Sequence, residues 1–143
     1  MTPLRLVLGA VAAVNAVTGA QAAIAPRAFF DGYPLGRGWV AEVAPYNEHL
    51  VVDVGGFYLA LAILFAWAAA RPDRRLVVPL LSAWTAFSLL HLGYHVTHLG
   101  GFTPVDAVVQ TLGLVGVLTP LAVLAWEDSR TGVEHPMSSA SVP

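Results

Sequence analysis

The sequence predicts an all-α integral membrane protein, folded as a four-helix up-down bundle. Three observations predict this class: 57% of the 143 residues are hydrophobic, only 11% are charged, and the hydrophobic residues are concentrated in four long runs. Soluble domains contain about 25% charged residues, and a small fold needs many polar groups to cover its surface. The composition therefore excludes an ordinary soluble enzyme, and its hydrophobicity excludes a disordered chain.

The first predicted span covers residues 4–25, a run with a single charged residue, Arg5. Its length matches the roughly 20 apolar residues that cross a bilayer. A secretory signal cleaved near Ala20-Gln21-Ala22 is the rival interpretation, but we expect a retained helix. One face carries a stripe of small residues that suits helix packing in lipid, namely Ala12, Ala16 and Ala20.

The other three spans are predicted at residues 48–70, 76–99 and 104–126. Each follows a residue whose side chain can accept a hydrogen bond from the first turn of a helix. The glycine pair Gly100-Gly101 is expected to end the third helix in a left-handed conformation. The three predicted capping residues are Asn47, Asp73 and Thr103.

Two segments lie outside the predicted spans. The long outer loop, residues 26–47, is rich in aromatic residues and glycines. We expect it to lie partly ordered against the outer face of the bundle, with Trp39 shielded from water. The tail, residues 127–143, is polar and ends in proline, so it is expected to be mobile.

The orientation of the bundle follows from the arginines in its short loops, because cytoplasmic loops carry an excess of basic residues. With the N-terminus inside, five arginines lie on the inner side and two on the outer side. The sequence thus predicts a multi-pass protein of the cell membrane with both termini in the cytoplasm. The inner residues are Arg5, Arg71, Arg74, Arg75 and Arg130; the outer ones are Arg27 and Arg37.

Some chemistry is excluded by residue type. The chain contains no Cys, so disulfides, thiol catalysis and cysteine-bound zinc or iron–sulfur clusters are excluded. Its net charge of -2 at pH 7 and its lack of a basic run argue against nucleic-acid binding.

Histidines form the most specific pattern. His91, His95 and His98 are spaced i, i+4 and i+7, which places them on one stripe of the third span. His49 and Asp53 are also four residues apart and share a face of the second span. Counted from the outer ends of their helices, Asp53 lies between His91 and His95 in depth. We therefore expect Asp53 to meet one of those histidines.

Such a cluster of imidazoles and carboxylates can hold a zinc, iron or copper ion. The candidate metal ligands are His49, His91, His95, His98 and Asp53, and the candidate catalytic residues are Asp53, His95 and Glu48. The simpler interpretation is a structural Asp–His hydrogen bond between two helices. Asp106 has a simple structural role as a helix-capping acid. Ser82, Thr85 and Ser88 are expected to bond to their own backbone or to pack helices together.

The segments "PYNEHLVVDVGGFYLA" and "LLHLGYHVTHLGG" carry a resemblance. With the "APRAFFDGYP" and "RPDR" stretches, they resemble a group of small bacterial four-helix membrane proteins and, more distantly, DoxX-like membrane proteins. The closer resemblance covers roughly residues 25–112. It implies the four-helix membrane architecture and carries no activity.

Two classes of function remain open. The first is a membrane enzyme that acts on a lipophilic small molecule, either through a bound metal or through an acid–base pair of Asp53 and a histidine. The second is a non-catalytic binding, transport or accessory subunit that holds a metal, haem or quinone. Four short helices enclose little volume, so transport would require a homo-oligomer or a partner.

Overall fold

The computed structural model describes residues 2–134, with side chains as far as Ser129. This part of the chain forms six helices and no strand, so the predicted all-α class is confirmed. The helices are α1 (Pro3–Ile24), α2 (Pro26–Gly32), α3 (Glu48–Ala70), α4 (Arg74–Thr97), α5 (Pro104–Gly116) and α6 (Thr119–Glu134).

Four segments are long and apolar enough to cross a membrane, namely α1, α3, α4 and the combined run Pro104–Ser129. The protein is a multi-pass membrane protein whose helices contact lipid. We call the end of the bundle that carries the connection between α1 and α3 (residues 25–47) the upper end. We call that segment the long connection.

Helix boundaries follow the predicted capping chemistry. The Asn47 side chain accepts a hydrogen bond from the Leu50 amide at 3.1 Å, and the Asp73 and Thr103 side chains cap α4 and α5 in the same way. The predicted left-handed end at Gly100-Gly101 is wrong, because positive φ values occur only at Leu35, Gly36 and Gly38 in the described chain. Side chains at the end of α4 bond to its last carbonyls instead.

The closest helix contact is between α1 and α3, and two glycines allow it. A methyl group on Gly19 would lie 2.8 Å from the Gly55 carbonyl oxygen, and one on Gly55 would lie 2.6 Å from the Ala23 amide nitrogen. The backbones of the two helices therefore touch, as small residues permit in membranes. Of the predicted small-residue stripe, Ala12 is buried, while Ala16 and Ala20 are half-buried.

The fourth span is two helices, which corrects the single helix predicted at 104–126. Pro120 has no N–H to donate to the Gly116 carbonyl, and the Thr119 hydroxyl donates to that oxygen instead at 2.5 Å. The next carbonyl, Val117 O, accepts a 2.8 Å hydrogen bond from Trp84 Nε1 of α4. Side chains thus satisfy the backbone groups released at the break, as a membrane interior requires.

Polar contacts tie the lower ends of the helices together. The Arg5 guanidinium donates to the carbonyls of Ala69 and Ala70 at the end of α3, both at 2.9 Å. Glu127 of α6 accepts from the Leu4 amide at the start of α1 at 3.0 Å. The basic and acidic groups therefore sit at helix ends, where they complement the exposed backbone groups.

The segment predicted as a mobile tail begins as helix, because α6 continues past Trp126 to Glu134. An ion pair between Arg74 of α4 and Asp128 of α6 lies on this extension. The rest of the predicted tail, residues 135–143, lies outside the described residues.

Candidate functional site

A cavity of about 740 Å³ lies inside the upper and middle parts of the bundle. Its walls come from α1, α4 and the α5–α6 pair, with Tyr58 and Val54 of α3 on one side and the long connection above. This volume is typical of small-molecule sites. Most of the lining is apolar or aromatic, including Phe29, Trp39, Val40, Trp84, Phe87 and Leu114.

The cavity exists because the helices are unevenly packed. While α1 and α3 touch along their backbones, α5 packs on α4 and makes no comparable contact with α1 or α3. The break before Pro120 lines the cavity, together with Gly113 and Gly116, which have no side chains to fill the space. Close packing on one side of the bundle and glycines on the other leave the space between them.

Polar side chains are gathered on the wall formed by α4 and α5. The His91 and His95 rings meet edge to face, 4.5 Å between centroids, and His91 stacks on Phe87 at 5.4 Å. Gln110 of α5 lies beside His95, and Ser88 lies one turn below His91. Two of the three predicted stripe histidines therefore lie in the cavity.

Four buried polar atoms on residues that line this cavity have no hydrogen-bond partner at bonding distance within the described chain, although the His95 and Gln110 side chains lie close enough to attract each other. They are Asn15 Oδ1, Ser88 Oγ, His95 Nδ1 and Gln110 Oε1. Asn15 and Ser88 are each 1% exposed and Gln110 is 4% exposed. Buried polar atoms in proteins are nearly always hydrogen-bonded, so this group of residues marks the cavity as a candidate site.

On the opposite wall, α1 contributes Asn15 and Thr18. Asn15 Nδ2 donates to the Val11 carbonyl at 2.8 Å, which leaves its Oδ1 atom unpartnered. The Thr18 hydroxyl bonds to the hydroxyl of Tyr33 at 3.1 Å. That second contact fastens the long connection to α1 at the edge of the cavity.

The long connection packs against the upper end of the bundle. Phe29 and Phe30 are buried with Ala22 and Val51, and Trp39 is half-buried and lines the cavity. The aromatic residues of α2 thus pack on the bundle and form part of its core.

The Asp106 carboxylate fastens the long connection to the start of α5. It accepts hydrogen bonds from Trp39 Nε1 at 3.0 Å, from the Thr103 hydroxyl at 2.7 Å and from the Arg37 guanidinium. Asp106 was predicted as a helix-capping acid. It does lie in the first turn of α5, and it also joins two segments. We call Asp106, Arg37 and Trp39 the Asp106 latch.

The predicted carboxylates lie elsewhere. Asp53 pairs with His49, Nε2 to Oδ2 at 3.3 Å, and the two side chains are 60% and 87% exposed. Neither they nor Glu48, which accepts from the Tyr46 hydroxyl at 3.5 Å, lines the cavity. The reason is rotation: at about 100° per residue, Asp53 lies roughly 200° around α3 from Gly55, which faces α1.

His98 caps α4 instead of facing the cavity. Its Nδ1 lies 2.8 Å from the Tyr94 carbonyl, and its ring stacks on Tyr94 at 4.0 Å. Within residues 2–134, no three His, Asp or Glu side chains come together as a metal site. The five predicted ligands are therefore divided among the cavity (His91 and His95), the exposed His49–Asp53 pair and the end of α4.

Charged groups on the long connection interact with one another at the upper surface. Arg27 forms an exposed ion pair with Asp31 at 2.7 Å and lies over the Tyr46 ring at 4.8 Å. A hydrogen bond from Arg27 to Asp31 raises the pKa of the guanidinium. Burial and then the nearby Glu48 carboxylate raise the pKa of the Tyr46 hydroxyl.

Sequence reasoning missed Asn15 and assigned Ser82, Thr85 and Ser88 to bonds with their own backbone or to helix packing. Ser82 does bond to its own backbone, at the Val78 carbonyl at 2.9 Å, whereas the hydroxyls of Thr85 and Ser88 have no such bond and Ser88 is buried. One usable signal was present: Asn15 is the sole amide or charged side chain between Arg5 and Gln21 in an apolar helix. Intramembrane polar residues of this kind commonly face the interior.

No protein-family model, curated protein or solved structure matches this chain.

Proposed function

We propose that this protein binds a lipophilic small molecule inside the membrane, in the cavity between α1, α4 and α5. The observation that carries the proposal is the group of buried, unpartnered polar atoms on otherwise apolar walls. Each unsatisfied polar group costs about 1–3 kcal/mol when it is buried. A ligand with an apolar body and a polar head would cover both kinds of surface.

The shape of the cavity supports entry from the bilayer. Val14 of α1 is 59% exposed and also lines the cavity, as do the exposed residues Ala10, Gly113 and Gly116. These residues lie on α1 and α5, which make little contact with each other. A molecule dissolved in lipid would enter through that seam, below the long connection.

For the orientation, we propose a location in the cell membrane with both termini in the cytoplasm. The support is the excess of arginines at the lower end of the bundle. In this orientation the cavity lies below the outer end of the bundle and opens near the middle of the membrane. The Asp106 latch then faces the outside, and it restricts access from water.

Catalysis on the bound molecule is a second candidate, favoured by His91 and His95. The two rings are in contact, and both residues line the cavity. Histidine is the side chain best suited to accept and return a proton near neutral pH. In this version His95 is the acid–base residue, whereas Asp53 and Glu48 are too far around α3 to line the cavity.

A metal-dependent form would use His91 and His95 as its protein ligands, with zinc, iron or copper as the metal. Two nitrogen ligands from one helix leave most of the coordination sphere to the bound molecule, to water or to a second copy of the chain. Haem is less well supported, since its two axial ligands must come from opposite sides. Metal analysis of the purified protein and a visible spectrum distinguish these forms.

Binding is tested with tryptophan fluorescence. A W67F/W126F variant keeps only Trp39 and Trp84, both of which line the cavity. A long-chain brominated lipid-soluble probe should quench this fluorescence saturably. Gly113→Leu places a side chain in the cavity and should weaken quenching. Gly93→Leu is the matched control, because Gly93 is also helical with open space around it but lies outside the cavity.

Equal quenching in wild type, Gly113→Leu and Gly93→Leu would contradict the proposal. Quenching that rises linearly with the probe in the membrane, without saturation, would contradict it as well.

A further inference from the structure

We infer that the ligand carries an uncharged head group that donates a hydrogen bond, as a lipophilic alcohol does. This inference rests on the proposed function and names the class of molecule that the cavity accepts. It depends on two properties of the wall, the absence of charge and the orientation of one amide.

The first property is the absence of a counter-ion. Within residues 2–134, no Asp, Glu, Lys or Arg side chain lines the cavity. The Asp106 carboxylate, which bonds to the lining residue Trp39, is also bonded to Arg37 and Thr103. An unpaired charge is costly inside a membrane, so a permanently charged head group is disfavoured.

The second property is the orientation of Asn15. Its Nδ2 atom lies 2.8 Å from the Val11 carbonyl oxygen, which can only accept a hydrogen bond. The amide is therefore held with the nitrogen toward the backbone, and Oδ1 is the atom left without a partner. An amide oxygen accepts and never donates. The ligand atom that meets Asn15 must carry the hydrogen.

The remaining unpartnered atoms favour a hydroxyl over other donors. Ser88 Oγ can donate or accept, and His95 Nδ1 can do either according to its tautomer. A ligand hydroxyl has one hydrogen to donate to Asn15, and its oxygen can also accept a hydrogen bond from another group of the wall. Ketones, esters and ethers only accept, and they would leave Asn15 Oδ1 unsatisfied.

Three probes with the same tail test the inference in the W67F/W126F variant. They are 12-bromododecan-1-ol, its methyl ether and 12-bromododecanoate. The alcohol should quench at about tenfold lower concentration than the ether, since the loss of one buried hydrogen bond has about this effect. The carboxylate should bind more weakly than the alcohol. Asn15→Leu should abolish the preference for alcohol over ether.

Each result has one meaning. Tighter binding of the ether than the alcohol, or an equal affinity, overturns the donor requirement and leaves the proposed function intact. Tighter binding of the carboxylate overturns the uncharged head group. An unchanged preference in Asn15→Leu overturns the role of Asn15. Saturable quenching by none of the probes overturns the proposed function and this inference together.

Discussion

The indole nitrogen of Trp84 donates a 2.8 Å hydrogen bond to the carbonyl oxygen of Val117, joining α4 to the break between α5 and α6. Trp84 is 5% exposed and lies against Phe65 and Phe87 in the core. One side chain therefore stabilises the break that opens the cavity and forms part of the cavity wall. Substitution of Trp84 therefore tests how much this hydrogen bond contributes to stability.

Trp84→Phe should lower the free energy of unfolding by about 1–3 kcal/mol, because the half-buried Val117 carbonyl loses its partner. The measurement is unfolding in mixed micelles titrated with a denaturing detergent. Trp67→Phe is the control, since Trp67 is 58% exposed on the lipid side of α3. Equal stability of the two variants would mean that the hydrogen bond contributes little.

Gly55→Ala should destabilise the protein by about 1–3 kcal/mol, because the added methyl group meets the backbone of α1. It would lie 2.6 Å from the Ala23 amide nitrogen. The neighbouring substitution Gly56→Ala adds the same group where nothing lies within 4 Å. Gly56→Ala should therefore keep wild-type stability in the same unfolding assay, and a matching loss in both variants would argue against the close contact.

Asp106→Asn should loosen the long connection, because it removes the charge that attracts Arg37. In the W67F/W126F variant the accessible fluorescence comes from Trp39, since Trp84 is buried. Quenching of that fluorescence by aqueous acrylamide should increase about twofold, because the loss of one exposed ion pair has an effect of about this size. Asp31→Asn, which removes the surface partner of Arg27, should have no effect. A similar change in both variants would contradict a specific latch.

Asp53→Asn should leave probe binding within about twofold of wild type, because the residue pairs with His49 at an exposed face. Loss of binding in Asp53→Asn would instead support the role in the site that its depth relative to His91 and His95 predicts.

Gln110→Leu should weaken binding of the alcohol probe, since Gln110 is a buried cavity residue.

The proposed orientation is checked by cysteine labelling, which this chain permits without background because it contains no Cys. Cysteines replace the exposed residues Ala41, in the long connection, and Pro72, between α3 and α4. A membrane-impermeant maleimide should label the Ala41 variant on intact cells. The Pro72 variant should react only after permeabilisation, and labelling of both from one side would contradict the topology.

Much of the architecture was predictable from local patterns. The apolar runs located α1, α3 and α4 to within two residues, and Asn47, Asp73 and Thr103 cap the helices for which they were predicted. These features depend on residues close together in the chain. The length and hydropathy of a run and its capping side chain involve only a few turns of helix. They can therefore be recognised in the sequence without knowledge of the neighbouring helices.

The candidate site was predictable only in part. The spacing of His91 and His95 placed both on one face, and the structure puts that face in the cavity. It did not reveal that His98 would bond to the Tyr94 carbonyl at the helix end. Nor did the depth of Asp53 reveal its direction, because depth depends on position along a helix, whereas direction depends on rotation about its axis.

The rotation of α3 about its axis and the separation of α5 from α1 are consequences of packing between segments that are distant in the sequence. The backbone contact at Gly19 and Gly55 orients α3 and turns Asp53 away from the cavity. The break at Pro120, stabilised by Trp84, keeps α5 apart from α1 and leaves Asn15 buried without a partner for its oxygen. The chain's composition and local order thus specify which helices form and where they end. The site depends on which faces meet, and that is set by steric contacts between residues far apart in sequence.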